Sequence, residues 1–131
     1  MQSSRELLEA IYAAFNTRQI DMVLARLHPN VDWPNGMEGG RVHGRENVRE
    51  YWLRQWKTLD PHVEPVNFTD AELGRTVVEV HQVVRDAAGN LLVDQIVLHS
   101  YTIQNGLIER MEIGRPTAAA HTGRAPERSA T

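Results

Sequence analysis

Apolar side chains recur every three or four positions through the first half of the chain, and every second position from His62 onward. This one change of period divides the protein into a helix-bearing half and a strand-bearing half. Leu7, Leu8, Ile11, Tyr12 and Phe15 predict a helix over 4–17, with Ser3 or Ser4 to cap it and Glu6 in its first turn. Ile20, Val23, Leu24 and Leu27 predict a partner helix over 20–27, stopped at His28-Pro29-Asn30 because proline cannot continue the hydrogen-bond ladder. A short strand over 31–33 follows, and Pro34 confines it to an edge or an end. Asn35-Gly36 and Gly39-Gly40 let the chain reverse into a second short strand over 41–43. A third helix over 45–59 carries Val48, Tyr51, Trp52, Gln55, Trp56 and Leu59 along one side, and Asp60-Pro61 ends it.

Four strands follow, over 63–73, 76–85, 91–104 and 107–113. Gly89 suits a three-residue hairpin loop, and Asn105-Gly106 is the strongest two-residue hairpin signal in the chain. In their commonest geometry these turns pair Val84 with Leu92, Val77 with His99, Tyr101 with Arg110, and His99 with Glu112. Alternation then places Val77, Glu79, His81, Val83, Val93, Gln95, Val97, His99, Tyr101, Ile103, Ile108, Arg110 and Glu112 on one mixed face. The other face gathers Val78, Val80, Ile96, Leu98, Met111 and Ile113. Three helices cover only one face of such a sheet. The mixed face is therefore assigned to a pocket under the helices, and the apolar face to a homodimer contact. A one-residue change in either loop swaps the faces and reverses that assignment.

The chain predicts an α+β domain over 1–114, three helices packed on a curved, mainly antiparallel sheet, with a small, polar tail over 115–131 expected to be flexible. At 131 residues it is one domain, 41% hydrophobic and 24% charged, with a net charge of -3. That balance supplies no basic excess for nucleic acid. No apolar run reaches the roughly 18 residues of a membrane span, and the N-terminus lacks the apolar stretch of a secretion signal, so a cytoplasmic protein is expected. The absence of cysteine excludes disulfides and thiolate chemistry. The six histidines form no HxxxH or HxH pair, and no metal or other cofactor is expected.

Three segments carry a resemblance: LLEAIYAAFNTRQIDMVLARLHPNVDW, GRVHGRENVREYW and LHSYTIQNGLIERMEI. Over about residues 5 to 114 the chain resembles the nuclear transport factor 2-like superfamily, in its SnoaL-like polyketide cyclase and ketosteroid isomerase branch. The resemblance implies a cone-shaped α+β fold of cystatin-like type with a central cavity, usually dimeric. The ketosteroid isomerase residues do not carry over in register. Trp33, Pro34 and Asn35 stand where its general-base aspartate falls, with Asp32 close by. Ile11 stands at its helix tyrosine, with Tyr12 one position on and so turned about 100° away. His99 or Ser100 stands at its second oxyanion donor. The Asp-Arg-Asp set of limonene epoxide hydrolases is not matched either.

The register itself offers chemistry. His99 beside Glu112 forms a candidate general-base pair, with Tyr101 or Arg110 to steady an oxyanion, and the same four residues read equally as satisfied pairs of a cavity wall. Tyr12, Phe15, Trp33, Trp52 and Trp56, with Asn35 and His81, are candidate ligand contacts for a small hydrophobic or aromatic molecule. The expected function is binding of such a molecule in a central cavity, either with cofactor-independent isomerase, cyclase or hydrolase chemistry or as a non-catalytic binding or interaction module.

Overall fold

The computed structural model of the protein describes residues 3–36, 38–71 and 73–115; the tail expected over 115–131 lies, but for Arg115, outside them. Helix α1 (Ser4–Asn16) starts at a capping box: the Glu6 N–H donates to Ser3 Oγ at 3.1 Å and the Ser3 N–H to Glu6 Oε1 at 3.0 Å. Its apolar spacing buries Leu7, Leu8, Ile11, Tyr12 and Ala14 against the sheet. Helix α2 (Ile20–Leu24) is shorter than the apolar stripe predicts, because Leu27 leaves the helix to begin strand β1 (Leu27–Pro34). There Leu27 pairs with Ile108, and its carbonyl accepts from the Arg45 guanidinium. The expectation that His28-Pro29-Asn30 forms a separate stop is thus corrected: these residues belong to the strand. Pro34 stands at the end of that strand, one of the two places expected of it, while the strand itself lies between two neighbours.

Strand β2 (Arg41–His43), helix α3 (Arg45–Thr58) and strands β3 (Leu59–Asp70), β4 (Arg75–Asp86), β5 (Leu91–Gln104) and β6 (Leu107–Gly114) complete the chain. They form one six-stranded sheet in the order β2-β1-β6-β5-β4-β3, antiparallel except where β1 runs parallel to β6. The two prolines of β3, Pro61 and Pro65, sit on an edge strand, where a missing N–H costs no ladder bond. Three register shifts between antiparallel strands, at Val66, Leu92 and Glu109, each set an extra residue into one strand of a pair and bend the sheet, and a fourth interrupts the parallel β1–β6 pair between Leu27 and Asp32. The helices fill the hollow side, where Leu8, Leu24, Leu27, Val31, Val48, Val78, Val80 and Ile108 have essentially no exposure.

The shifts decide which side chains face inward. The turns themselves form as predicted. Asn105 and Gly106 both take positive φ (53° and 78°), Gly89 takes 93°, and Gln104 pairs with Leu107. One residue beyond each turn the ladder slips. Val84 pairs with Val93, Val78 with His99, Tyr101 with Met111, and His99 with Ile113. Strand β5 keeps the expected inward set, but β4 and β6 present the opposite set to it. Val78, Val80 and Met111 are therefore core, and Ile113 borders the cavity, so with only Ile96 and Leu98 left outside the expected association patch does not exist as one surface. Glu79, His81, Arg110 and Glu112, expected under the helices, face away from them.

Candidate functional site

A cavity of about 420 Å³ opens between the hollow of the sheet and helices α1 and α3, a volume suited to a drug-sized molecule. Helix α1 contributes Tyr12 and Phe15, β1 contributes Trp33, α3 contributes Tyr51 and Trp52, and β5 contributes Gln95, His99 and Tyr101. The aromatic wall is a chain of edge contacts: Trp33 meets Trp52 at 5.4 Å between ring centroids, and Trp52 meets Phe15 at 5.4 Å. Tyr51 Oη accepts the Gly36 N–H at 3.0 Å, which ties the 35–40 turn to α3 at the cavity rim. Trp56 stands behind this wall, stacked on Trp52 and covered by the Arg18 guanidinium. It does not line the cavity.

The polar floor is one connected unit. Tyr101 Oη donates to Tyr12 Oη at 2.8 Å, and Tyr12 Oη lies 2.8 Å from His99 Nδ1. With its oxygen taking the Tyr101 proton, Tyr12 satisfies its own proton by donating to Nδ1. This arrangement assigns the remaining imidazole proton to Nε2, for which no described residue is a partner. Burial pushes the His99 pKa down to about 4, so the ring is neutral at physiological pH. Burial pushes both Tyr12 and Tyr101 above the ordinary tyrosine range, so neither ionises there. No carboxylate lines the cavity among the described residues. A neutral imidazole N–H backed by two phenols polarises an oxygen; it is a weak proton acceptor.

Six of the expected site residues meet here: His99, Tyr101, Tyr12, Phe15, Trp33 and Trp52. Tyr12, which helical periodicity against the ketosteroid isomerase pattern turned away from the site, points into it and touches His99. The catalytic roles expected of Glu112 and Arg110 are overturned. Glu112 opposes Ser100 and not His99, and Arg110 opposes Thr102 and not Tyr101, because Glu109 slips the ladder. On the outer side Arg110 pairs with Asp32 and with Glu112, while Arg41 donates to Asp32 at 2.7 Å and to the Met111 carbonyl at 2.7 Å. Partial desolvation pushes the Asp32 carboxyl up, but the Arg41 hydrogen bond and the charges of Arg41, Arg110 and His43 outweigh it and hold it below the ordinary range. His81 likewise faces outward and pairs with Asp94 at 2.6 Å. Asn35 serves its own turn, accepting the Glu38 N–H at 2.8 Å and donating to the Glu38 carboxylate.

Several cavity residues escaped the sequence reading, among them Tyr51, Gln55, Gln82 and Gln95. Gln82 was placed on the outer face, and Gln95 was placed inward without a role; in the structure they face each other inside. A signal for the slip was present. Ile108 and Met111 are both strongly apolar and three apart, a spacing that no regular strand can turn to one side. Among the described residues no group of three or more His, Asp or Glu comes together as a metal site, and no helix is long and apolar enough to cross a membrane.

The comparisons with known proteins agree with this architecture. A family model for the SnoaL-like domain matches residues 8–111. A nuclear transport factor 2-like protein of unknown function from Burkholderia pseudomallei is 26% identical. It superposes with a TM-score of 0.76 over 93% of this chain and 97% of that one. TerC, crystallised with polyporic acid, is 30% identical, with a TM-score of 0.73 over 89% of this chain and 94% of that one. A protein of ketosteroid isomerase-like fold from Catenulispora acidiphila is only 12% identical and shows the shared fold alone. Its TM-score is 0.74, over 88% and 89% of the two chains. No curated protein matches the chain in sequence. With four-fifths of its length matched by the family model, the chain belongs to the SnoaL-like domain family, within the nuclear transport factor 2-like fold.

Proposed function

We propose that the cavity binds a flat aromatic molecule bearing a carbonyl or enol oxygen, and that His99 Nε2–H holds that oxygen. The observation that carries this reading is the hydrogen-bonded unit Tyr101–Tyr12–His99, buried at the floor of an aromatic-walled cavity. A carbonyl oxygen placed on a neutral donor gains more stabilisation as charge develops on it than in its ground state, since little water competes. Such a site would promote keto–enol shifts in which water takes the C–H proton and returns one to the oxygen, while His99 Nε2–H steadies the enolate charge between those steps. TerC supports the choice of ligand: polyporic acid is a diaryl dihydroxyquinone, flat, aromatic and rich in carbonyl and enol oxygens. The absence of a lining carboxylate among the described residues favours one second reading, in which the same oxygen is bound and no reaction follows.

Quenching of tryptophan fluorescence tests the binding, because Trp33 and Trp52 form the wall. Titration with polyporic acid and with para-acetylbiphenyl is expected to saturate at one site per chain. His99→Leu is expected to weaken both ligands by roughly ten-fold, the size of one hydrogen bond in a dry site. Absence of saturable quenching by either ligand would sink the proposal. Exchange of the acetyl protons of para-acetylbiphenyl with deuterium oxide, followed by proton NMR, separates the two readings. Acceleration by the wild type and not by His99→Leu supports chemistry, and equal rates support binding alone.

A further inference from the structure

The cavity carries a second polar station, distant from the tyrosine–histidine floor. Gln82 on β4 and Gln95 on β5 are direct cross-strand partners, both lining the cavity, and Gln95 Nε2 donates to Gln82 Oε1 at 2.9 Å. Neither amide has another hydrogen-bond partner among the described residues. Both side chains are half-buried beside Val80, Val84, Val93 and Val97, and their free amide atoms are not sealed from solvent.

Pairing leaves a defined remainder. The bond takes one N–H of Gln95 and one lone pair of the Gln82 carbonyl, so the Gln82 amino group, the second Gln95 N–H and the Gln95 carbonyl remain for a ligand. Flipping both amides gives the same result, so the pattern does not depend on which way they are drawn. A hydroxyl accepts from such an N–H and donates to such a carbonyl through one atom. An ether or a ketone uses only the donor, and an ammonium group only the acceptor.

Position sets the length of the ligand. Gln95 and His99 lie on one strand and one face, separated by Val97 alone on that face. Four residues of extended strand put their Cα atoms about 13 Å apart. The space between is the apolar and aromatic part of the cavity, and it suits a biaryl or polycyclic frame.

We infer that the Gln82–Gln95 pair is a specificity site that selects elongated aromatic ligands carrying a phenolic or enolic hydroxyl at the end away from the carbonyl held by His99. This inference rests on the ligand class proposed above and adds the requirement at the far end. The two side chains bond each other in part, and the ligand hydroxyl would use the groups that remain.

The test uses para-acetylbiphenyl and its analogue with a hydroxyl at the far para position, titrated by calorimetry into wild type, Gln82→Met/Gln95→Met and His99→Leu. Methionine keeps the unbranched shape and nearly the volume of glutamine, so packing is conserved. In the wild type the hydroxylated probe is expected to bind roughly ten-fold more tightly than the plain one. The double methionine variant is expected to bring the ratio of the two affinities to about one. His99→Leu is expected to weaken both probes and keep the ratio. Should the double variant fail to fold, as read by circular dichroism, Gln95→Met alone breaks the pair and is expected to remove most of the preference. A wild type that binds both probes equally, or a preference that survives methionine, overturns this inference while leaving the cavity reading intact. If neither probe binds the wild type, the cavity reading falls and this one with it.

Discussion

The two faces of strands β5 and β6 alternate residue by residue, yet they obey opposite rules. The inner face carries no charged side chain and buries its hydrogen-bonded tyrosine and histidine. Tyr101 is 2% and His99 6% exposed, and each makes its hydrogen bonds to another buried side chain. The outer face is charged and wet. Arg110, Glu112, Asp94 and His81 are each about half exposed and pair with one another or with Asp32. Side chains a few ångströms apart along one backbone thus fall under different physics. Inside, an unpaired polar atom costs a full desolvation; outside, water replaces any partner that is lost. Chemistry that needs a strong field is therefore available only to the inner set, although the outer set has more ionisable groups.

The widest separation between the faces should appear in stability. Tyr101→Ala removes a buried ring and leaves a cavity, and urea unfolding is expected to show a loss of about 3–5 kcal/mol. Arg110→Ala on the opposite face is expected to leave the urea midpoint unmoved. Equal losses would mean that the outer ion pairs hold the sheet together, against the exposure seen here.

Acid sharpens the contrast next. His99 has its folded pKa lowered to about 4 from an ordinary value of 6.5, so between those pH values the unfolded chain takes up a proton that the folded chain refuses. Stability is fully present above the ordinary value and falls as the pH drops through this window. One proton corresponds to ~1.4 kcal/mol per pH unit, so the loss by pH 4 is on the order of 3 kcal/mol. His99→Leu is expected to flatten that slope in thermal melts taken across the window, and an unchanged slope would show that His99 is protonated freely in the folded protein.

Removing only the central hydroxyl has a smaller effect. Tyr12→Phe removes the partner shared by Tyr101 and His99 Nδ1, leaves them only the long 3.5 Å contact with each other, and is expected to cost roughly 1–3 kcal/mol. Its ring packing persists, so a change below that range would mean that water takes over the missing bonds. Asp32→Asn on the outer face has a smaller effect again. Arg41 keeps its bond to the Met111 carbonyl, the loss is on the order of 1 kcal/mol, and binding of para-acetylbiphenyl is expected to stay within about two-fold of wild type. A large loss of binding would place the outer network in the site.

Much of this fold is written locally. Ser3 with Glu6 announces the first helix, Asn105-Gly106 sets a hairpin turn, and the period change at His62 separates helices from sheet. The aromatic half of the site was legible too, because Tyr12, Phe15, Trp33 and Trp52 fall on stripes that must be buried. The facing of the polar residues was not. Each wrong assignment, from Glu112 and Arg110 to Gln82, traces to Leu92 or Glu109, single residues inserted just past correctly read turns. A turn motif is a property of four residues, whereas a bulge is a settlement between two strands and a core. Its trace in the sequence is a break in apolar spacing, Ile108 to Met111, that means little until the core is known. The helix stripe misled in a similar way at residue 27, where pairing with Ile108 outweighed helical periodicity.

Glu109 has no side-chain role in the cavity, yet it acts as the phase of the whole C-terminal strand. With it in place, Met111 and Ile113 close the wall and Arg110 and Glu112 meet solvent. Were Glu109 paired in a regular ladder, Arg110 would oppose Tyr101 and Glu112 would oppose His99, and two apolar side chains would face outward. Deleting Glu109 would remove the bulge and leave Met111 opposite Tyr101 and Ile113 opposite His99, so the neutral wall would persist. The character of the pocket thus rests on which residue the ladder skips.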